Sequence, residues 1–197
     1  MTDGITPSQT VGPYFAYCLT PKDYDTREIF SADLTTPAIG GDRIRVVGQV
    51  LDGDGVGIGD AMIEIWQADP EGRYAHPADD RARGNSGFAG FGRAPTTPDG
   101  MYAFTTVKPG QVPGPNGKPQ APHIAVTVFA RGMLKHLYTR IYFEDESANA
   151  ADPILALVPD EEARRTLIAR RLAGEAEPTY RFDIRLQGEG ETVFFEA

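Results

Sequence analysis

Arg43-Ile-Arg-Val-Val-Gly-Gln-Val-Leu51, followed at once by Asp52-Gly-Asp-Gly55, is the stretch that decides the fold. The run is rich in β-branched residues and the Asp/Gly cluster is a strong turn signal, so together they read as a strand and its closing turn. Ala61-Met-Ile-Glu-Ile-Trp66 alternates in part and reads as a second strand. Three more are expected at Met101–Val107, His123–Ala130 and Leu137–Phe143, and two closing strands at Thr179–Gln187 and Glu191–Phe195, flanking Gly188-Glu-Gly190. One helix is expected over 160–173. Asp160 suits its N-cap, Glu161 and Glu162 suit the positive end of its dipole, and Ala163, Leu167, Ile168 and Leu172 form an apolar stripe that Gly174 can end. Short strands, long loops and a single helix add up to an all-β chain, a β-sandwich with embellishments.

Outward from these strands the chain is irregular. Residues 1–42 are broken by Pro7, Gly12, Pro13, Pro21, Pro37, Gly40 and Gly41, yet carry Tyr14, Phe15, Tyr17, Tyr24, Ile29 and Phe30. Such an arm has no period of its own and is expected to lie across a surface, of its own domain or of another chain. The expected organisation is one domain over 1–197, with the extended arm at 1–42 and the sandwich at 43–197. Residues 69–100 read as one long loop, since their glycines and prolines permit no regular element of length, and Lys108–Pro119 as a second. Loops of this size in a compact domain usually serve a site or an interface.

Composition narrows the function. The chain has 197 residues, 41% of them hydrophobic and 24% charged, which suits one well-buried soluble domain. The formal charge of -9 leaves no basic surplus to replace phosphate counterions, so a nucleic-acid partner is not expected. Arg164, Arg165, Arg170 and Arg171, accompanied by Glu161 and Glu162, read as the solvated face of the expected helix. No apolar run approaches the roughly 20 residues that span a bilayer, so no membrane partner is expected. Cys18 is the single cysteine, and no basic region with an apolar core opens the chain. Both point to a reducing, cytoplasmic setting.

No phosphate loop, nucleophile elbow or Cys-x-x-Cys pair is present. The histidines are His76, His123 and His136, with neither a His-x-His nor a His-x-x-x-His among them. His123 opens a strand, and a second ligand on that face would have to stand two residues on, where the sequence has Ala125. A strand-end histidine of this kind is more often a satisfied structural residue than a ligand. Tyr74 follows the strand that contains Trp66. A tyrosine binds metal well only as phenolate, which calls for a hard trivalent cation such as ferric iron to overcome a free pKa of about 10.

Several segments in series point further. They are Thr6-Pro-Ser-Gln-Thr-Val-Gly-Pro-Tyr14, Glu64-Ile-Trp-Gln-Ala68, Gly72-Arg-Tyr74, Gly92-Arg93 with Thr97-Pro-Asp-Gly100, Thr106-Val-Lys-Pro-Gly110, Pro122-His-Ile124, Ile141-Tyr-Phe-Glu-Asp145 and Tyr180-Arg-Phe-Asp-Ile184. Each is weak alone, but in this order, across nearly the whole chain, they resemble the intradiol ring-cleaving dioxygenases. That resemblance implies a β-sandwich. In the family's iron-bearing chains, two tyrosines and two histidines hold a non-haem ferric ion. The first tyrosine falls at Tyr74 and the second at Val112; the His-x-His pair falls at His123 and Ala125.

Two of the four positions therefore have no donor atom. Ferric iron prefers five or six largely anionic ligands, so this chain is expected to hold no metal and to be inactive alone. The resemblance is to the two-subunit branch of the family, in which a β subunit carries the Fe(III) and a homologous α subunit has a degenerate copy of the site. It implies a higher-order αβ assembly acting on a small aromatic dihydroxy acid and O2. It further implies that this chain lends Thr10, Gly12, Pro13, Tyr14 and Arg131 to the substrate-binding wall of the partner's site. A guanidinium or turn amides there would orient a substrate carboxylate. The rival expectations are a single-chain catechol or hydroxyquinol enzyme, against which Val112 and Ala125 count, and a non-catalytic binding sandwich, which leaves the motif series unexplained.

Overall fold

The computed structural model describes residues 18–81 and 86–196 of the chain. Its strands are β1 (Arg43–Leu51), β2 (Met62–Gln67), β3 (Phe91–Pro95), β4 (Met101–Val107), β5 (Val112–Pro113), β6 (Pro119–Gln120), β7 (His123–Phe129), β8 (Leu137–Phe143), β9 (Ile168–Leu172), β10 (Thr179–Arg181) and β11 (Ile184–Arg185). The large sheet runs β11-β1-β10-β9-β8-β7-β2-β3, with β4 also paired to β1, while β5 and β6 form a separate ribbon. The sheet curls over until it is nearly closed, so that β1 and β4 face β2, β7 and β8 across one core in a β-sandwich.

Alternation explains that core. In β1, Ile44, Val46 and Val50 point inward; in β7, Ile124, Val126 and Val128 do the same, and all are essentially buried. They pack with Ile63, Ile65, Phe104, Ile141, Phe143 and Tyr180 into the main cluster. Each such side chain contributes about 1.5–3 kcal/mol on leaving water. Gln67 is fully buried within the core and fully satisfied: its amide nitrogen donates to the carbonyls of Val107 (2.9 Å) and Ala68 (3.2 Å), and its oxygen accepts from Thr106 Oγ1 (2.8 Å). It ties β2 to β4 where an unpaired amide would be costly. A second, smaller cluster of Ala121, Tyr142, Leu155, Val158 and Leu167 lies elsewhere.

The described part of the arm lies on its own sandwich. Leu34 is buried in the core, and Leu34 N donates to Thr105 O while Thr105 N donates to Ala32 O. Phe30 meets Phe91 edge-on at 4.9 Å, and the Arg93 guanidinium lies 4.7 Å above the Phe30 ring.

The expected helix over 160–173 is corrected. Only Glu161–Arg165 is helical; Asp160 caps it, accepting from Ala163 N at 2.7 Å. Ile168–Leu172 is instead strand β9, parallel to β8 and antiparallel to β10. Two neighbouring strands offer ladder hydrogen bonds on both sides, which outweighs the weak propensity of a short helical period. The arginines are accordingly split. Arg165 pairs with Glu161 on the helix, whereas Arg170 and Arg171 stand exposed on β9.

The expected loop over 69–100 contains strand β3. It is an edge strand, where Pro95 is tolerated, and glycine suits Gly92 because a Cβ there would strike Leu34. The closing segments are less regular than expected. Thr179–Gln187 divides into β10 and β11, and Glu191–Phe195 keeps one bridge, Tyr138 to Phe195.

Candidate functional site

The outer face of β2, β7 and β8 brings the degenerate positions together. Register places Trp66 opposite Ala125, Ala125 opposite Arg140, and His123 opposite Tyr142. In β7 the side chains of His123 and Ala125 alternate with the core residues Ile124 and Val126, so both point away from the core, as the two-residue spacing requires.

Tyr74 reaches this face from the loop after β2, with its ring stacked on Trp66 (6.0 Å between centroids, 9° between planes). Its backbone is pinned: Tyr74 N donates to Asp79 Oδ2 at 2.8 Å, and Arg81, bonded to the same carboxylate, donates to Gly72 O at 2.8 Å. The loop crosses residues 108–111 so closely that a Cβ on Gly72 (φ +76) would strike the Gln111 carbonyl, and one on Gly110 would strike the Pro70 carbonyl. Two motifs far apart in sequence, Gly72-Arg-Tyr74 and Lys108-Pro-Gly110, are thus locked together, and Val112 follows two residues after the crossing. Val112 is buried and pairs with Gln120 across the β5–β6 ribbon.

The titratable groups here are held in their neutral forms. Burial pushes the Tyr74 phenol above its ordinary value, although the Arg140 and Arg81 charges pull the other way. A ligand phenol would need to lose its proton. His123 is 4% exposed and its Nδ1–H donates to Ala121 O at 2.8 Å, leaving Nε2 as the acceptor nitrogen. Burial first, and the Arg140 charge second, hold its pKa down to about 4, so it is neutral at physiological pH. Tyr142 is also pushed up, chiefly by burial. Its hydroxyl donates to Asp152 Oδ1 at 3.2 Å, while Asp152 collects the amides of Ala121, Ile154 and Leu155. Among the described residues no group of three or more His, Cys, Asp or Glu side chains is gathered to hold a metal. With an alkyl group at Val112, a methyl at Ala125 and the Arg140 charge acting on His123, the residues present do not fit the ferric ion that the resemblance implies for a complete ligand set.

A cavity of about 600 Å³ opens in front of this cluster, lined by Trp66, Tyr74, His76, Asp79, Arg81 and Pro113 among others. Arg131 does not join it. It follows β7 at the far end from His123, two residues beyond a strand that itself covers roughly 20 Å at ~3.3 Å per residue. Its side chain is 72% exposed and its Nε lies 2.7 Å from Asp60 Oδ2. His136 stands at the same far end, hydrogen-bonded to Tyr138 Oη. Thr10, Gly12, Pro13 and Tyr14 lie outside the described residues. Sequence reasoning missed Gln120, Arg140, Tyr142 and Asp152. The alternation in Leu137–Phe143 already put Arg140 and Tyr142 on one face, but the strand register that sets them beside Ala125 and His123 was not legible.

Comparison with known proteins agrees with this geometry. The dioxygenase family model matches residues 10–188. The chain is 50% identical to the protocatechuate 3,4-dioxygenase alpha chain of Burkholderia cepacia, over 97% of this chain and 96% of that one. It is 38% identical to the beta chain from the same organism, over 77% of this chain and 67% of that one. Among solved structures, the dioxygenase domain of a dioxygenase–carbohydrate-binding fusion from Streptomyces sp. SirexAA-E superposes with a TM-score of 0.60 at 25% identity, covering 93% of this chain and 98% of that one.

Proposed function

The chain belongs to the dioxygenase family, and from that premise we propose that it is the α subunit of a protocatechuate 3,4-dioxygenase, working on a site whose iron the β subunit holds. The observation that carries this is the pair Val112 and Ala125. A chain with high identity to named alpha chains keeps the strands and loops that present four ligands, yet two of the four have nothing to donate. Relatives of this chain are named as separate alpha and beta chains of one dioxygenase, which supports an αβ complex.

In this reading the assembled enzyme opens protocatechuate between its two hydroxyl-bearing carbons, retaining both atoms of O2 in 3-carboxy-cis,cis-muconate. The metal on the partner supplies the oxygen chemistry. This chain supplies positioning, water exclusion and assembly contacts. Arg131 supports that division: an exposed guanidinium far from its own degenerate cluster is free to exchange Asp60 for a substrate carboxylate at a neighbouring chain's site. Thr10, Gly12, Pro13 and Tyr14 of the arm are proposed for the same wall. No helix among the described residues is long and apolar enough to cross a membrane, and with a lone exposed Cys18 the proposed setting is cytoplasmic.

The test is reconstitution. Purified alone, the chain should be colourless, hold no stoichiometric iron and consume no O2 with protocatechuate. Co-expressed with an iron-bearing β chain, it should yield one iron per αβ pair and O2 uptake stoichiometric with substrate. Arg131→Ala in that complex should raise KM for protocatechuate about tenfold, a charge-assisted hydrogen bond's worth, with iron content unchanged. An active, iron-loaded oligomer of this chain alone would overturn the assignment.

A further inference from the structure

We propose that the Arg140 guanidinium stands in place of a metal ion at the centre of the degenerate ligand set, closing this chain's site to cations by means of a cation of its own. The inference builds on the assignment of ligand positions under Proposed function, and goes beyond it. Missing donors explain weak binding. A resident positive charge makes the site refuse a metal even when donors are supplied.

The register carries the argument. Arg140 stands directly across the ladder from Ala125, on the same outer face, where opposed Cβ atoms lie about 4.5–5.5 Å apart. The methyl of Ala125 leaves room for the long side chain. The guanidinium is then anchored within the ligand set. Its Nη1 donates to Gln120 Oε1 at 2.6 Å, and Gln120 is the ribbon partner of Val112. The same nitrogen lies 3.4 Å from Tyr142 Oη, across the ladder from His123. Arg140 is thus one contact away from three of the four degenerate positions, and its charge also acts on the fourth, Tyr74.

The company it keeps points the same way. Among the described residues no carboxylate forms an ion pair with Arg140. Its neighbours are the amide oxygen of Gln120, the phenol of Tyr142 and the ring of Phe195 at 5.9 Å, and its charge acts on the His123 imidazole. These are neutral, electron-rich groups converging on one half-buried positive charge, with Asp152 one step further out behind Tyr142. A ferric ion at the same place would meet a like charge at close range, which a half-buried setting leaves only partly screened by water.

Three forms of the full chain test this: Val112→Tyr with Ala125→His, the same pair with Arg140→Gln, and the same pair with Arg140→Lys. Ferric binding is read by metal analysis, by titration and by tyrosinate-to-iron absorption in the visible. The Arg140→Gln form should bind about 10–100-fold more tightly than the other two, the range that groups around a ligand shell command. Equal binding by all three forms, or by none, would overturn the proposal. Stoichiometric iron on the unsubstituted chain would instead bring down the subunit assignment itself. If the multiple variants fail to fold, Arg140→Gln alone is titrated with Cu2+ by calorimetry. Tighter uptake than by the unsubstituted chain supports the proposal, and identical isotherms overturn it.

Discussion

Lys108 and Arg140 are both partly buried cations set against tyrosines, but the molecule treats them in opposite ways. Lys108 Nζ lies 2.9 Å from Asp145 Oδ1 and 2.9 Å from Glu146 Oε1, over the rings of Phe143 and Tyr180, and Tyr180 Oη donates to Asp145 at 2.8 Å. Burial opposes its charge, yet the bonds to Glu146 and Asp145 outweigh that and hold its pKa above the ordinary lysine value. The arrangement clamps the loop after β4 to the segment after β8. Arg140 makes no such bargain among the described residues: its acceptors are neutral and its nearest carboxylate acts through Tyr142. One cation is a fastening of the fold. The other is held by neutral groups alone among the described residues.

Acid should separate the two regions, and the largest effect is expected at His123. Its folded pKa, about 4, lies below the unfolded value near 6.5, so between these limits the unfolded chain binds the proton first. Stability from the neutral imidazole is present above pH 6.5 and is lost as pH falls toward 4, by about 3 kcal/mol for a shift of roughly 2.5 units. Arg140, Tyr142 and Asp152 are the charged and titratable groups facing it. Asp145 is shifted the other way: burial would raise its pKa, but the bonds from Lys108 and Tyr180 hold it below the usual carboxylate value. Its contribution is present above the unfolded value and disappears only as pH falls through the acid range below about 4. Urea unfolding at a series of pH values should therefore show loss first from the Arg140 side. His123→Gln should flatten the curve between pH 6.5 and 4 while leaving the lower fall in place; an unchanged slope would break the contrast.

The second effect is on the clamp itself. Lys108→Ala leaves Asp145 and Glu146 facing each other without their shared cation. The three side chains are 17%, 31% and 24% exposed, so water relieves part of the cost. A loss of about 2 kcal/mol is expected at neutral pH, below the range for a fully buried pair. The midpoint of chemical denaturation measures it. A change under about 0.5 kcal/mol would make the clamp an ordinary surface pair.

The same two regions show how far the amino-acid sequence can be read. The sandwich followed from the β-rich run Arg43–Leu51 with its Asp/Gly turn, the partial alternation of Ala61–Trp66 and the short strands expected at Met101–Val107, His123–Ala130 and Leu137–Phe143, because these signals lie within each segment's own residues. Ile168–Leu172 did not, since its strand character comes from β8 and β10 on either side and not from its own residues. At the degenerate site, His123 and Ala125 were legible as a same-face pair, and Tyr74 and Val112 as positions after glycine motifs. Gln120, Arg140 and Tyr142 were not, because their meeting with those four depends on register between strands. A motif fixes which residue stands at a place; only the fold supplies its neighbours.

The smallest effect is expected from Arg140→Gln, and its smallness is the point. The substitution removes the bonds to Gln120 and Tyr142, at a cost of about 0.5–1.5 kcal/mol each at most. It also removes a charge from a half-buried, carboxylate-poor setting, which returns a similar amount. The net change in stability at neutral pH should fall within about 1 kcal/mol, the range in which gains and losses of this kind cancel. One of the two influences that depress the His123 pKa goes with it, so that pKa should rise from about 4 and the acid loss on this side should begin to level off at higher pH. A neutral cost at pH 7 combined with a shifted acid profile would mark Arg140 as a resident charge and not a fastening. If instead its removal were as damaging as that of Lys108, the two cations would share one role and the contrast between these regions would collapse.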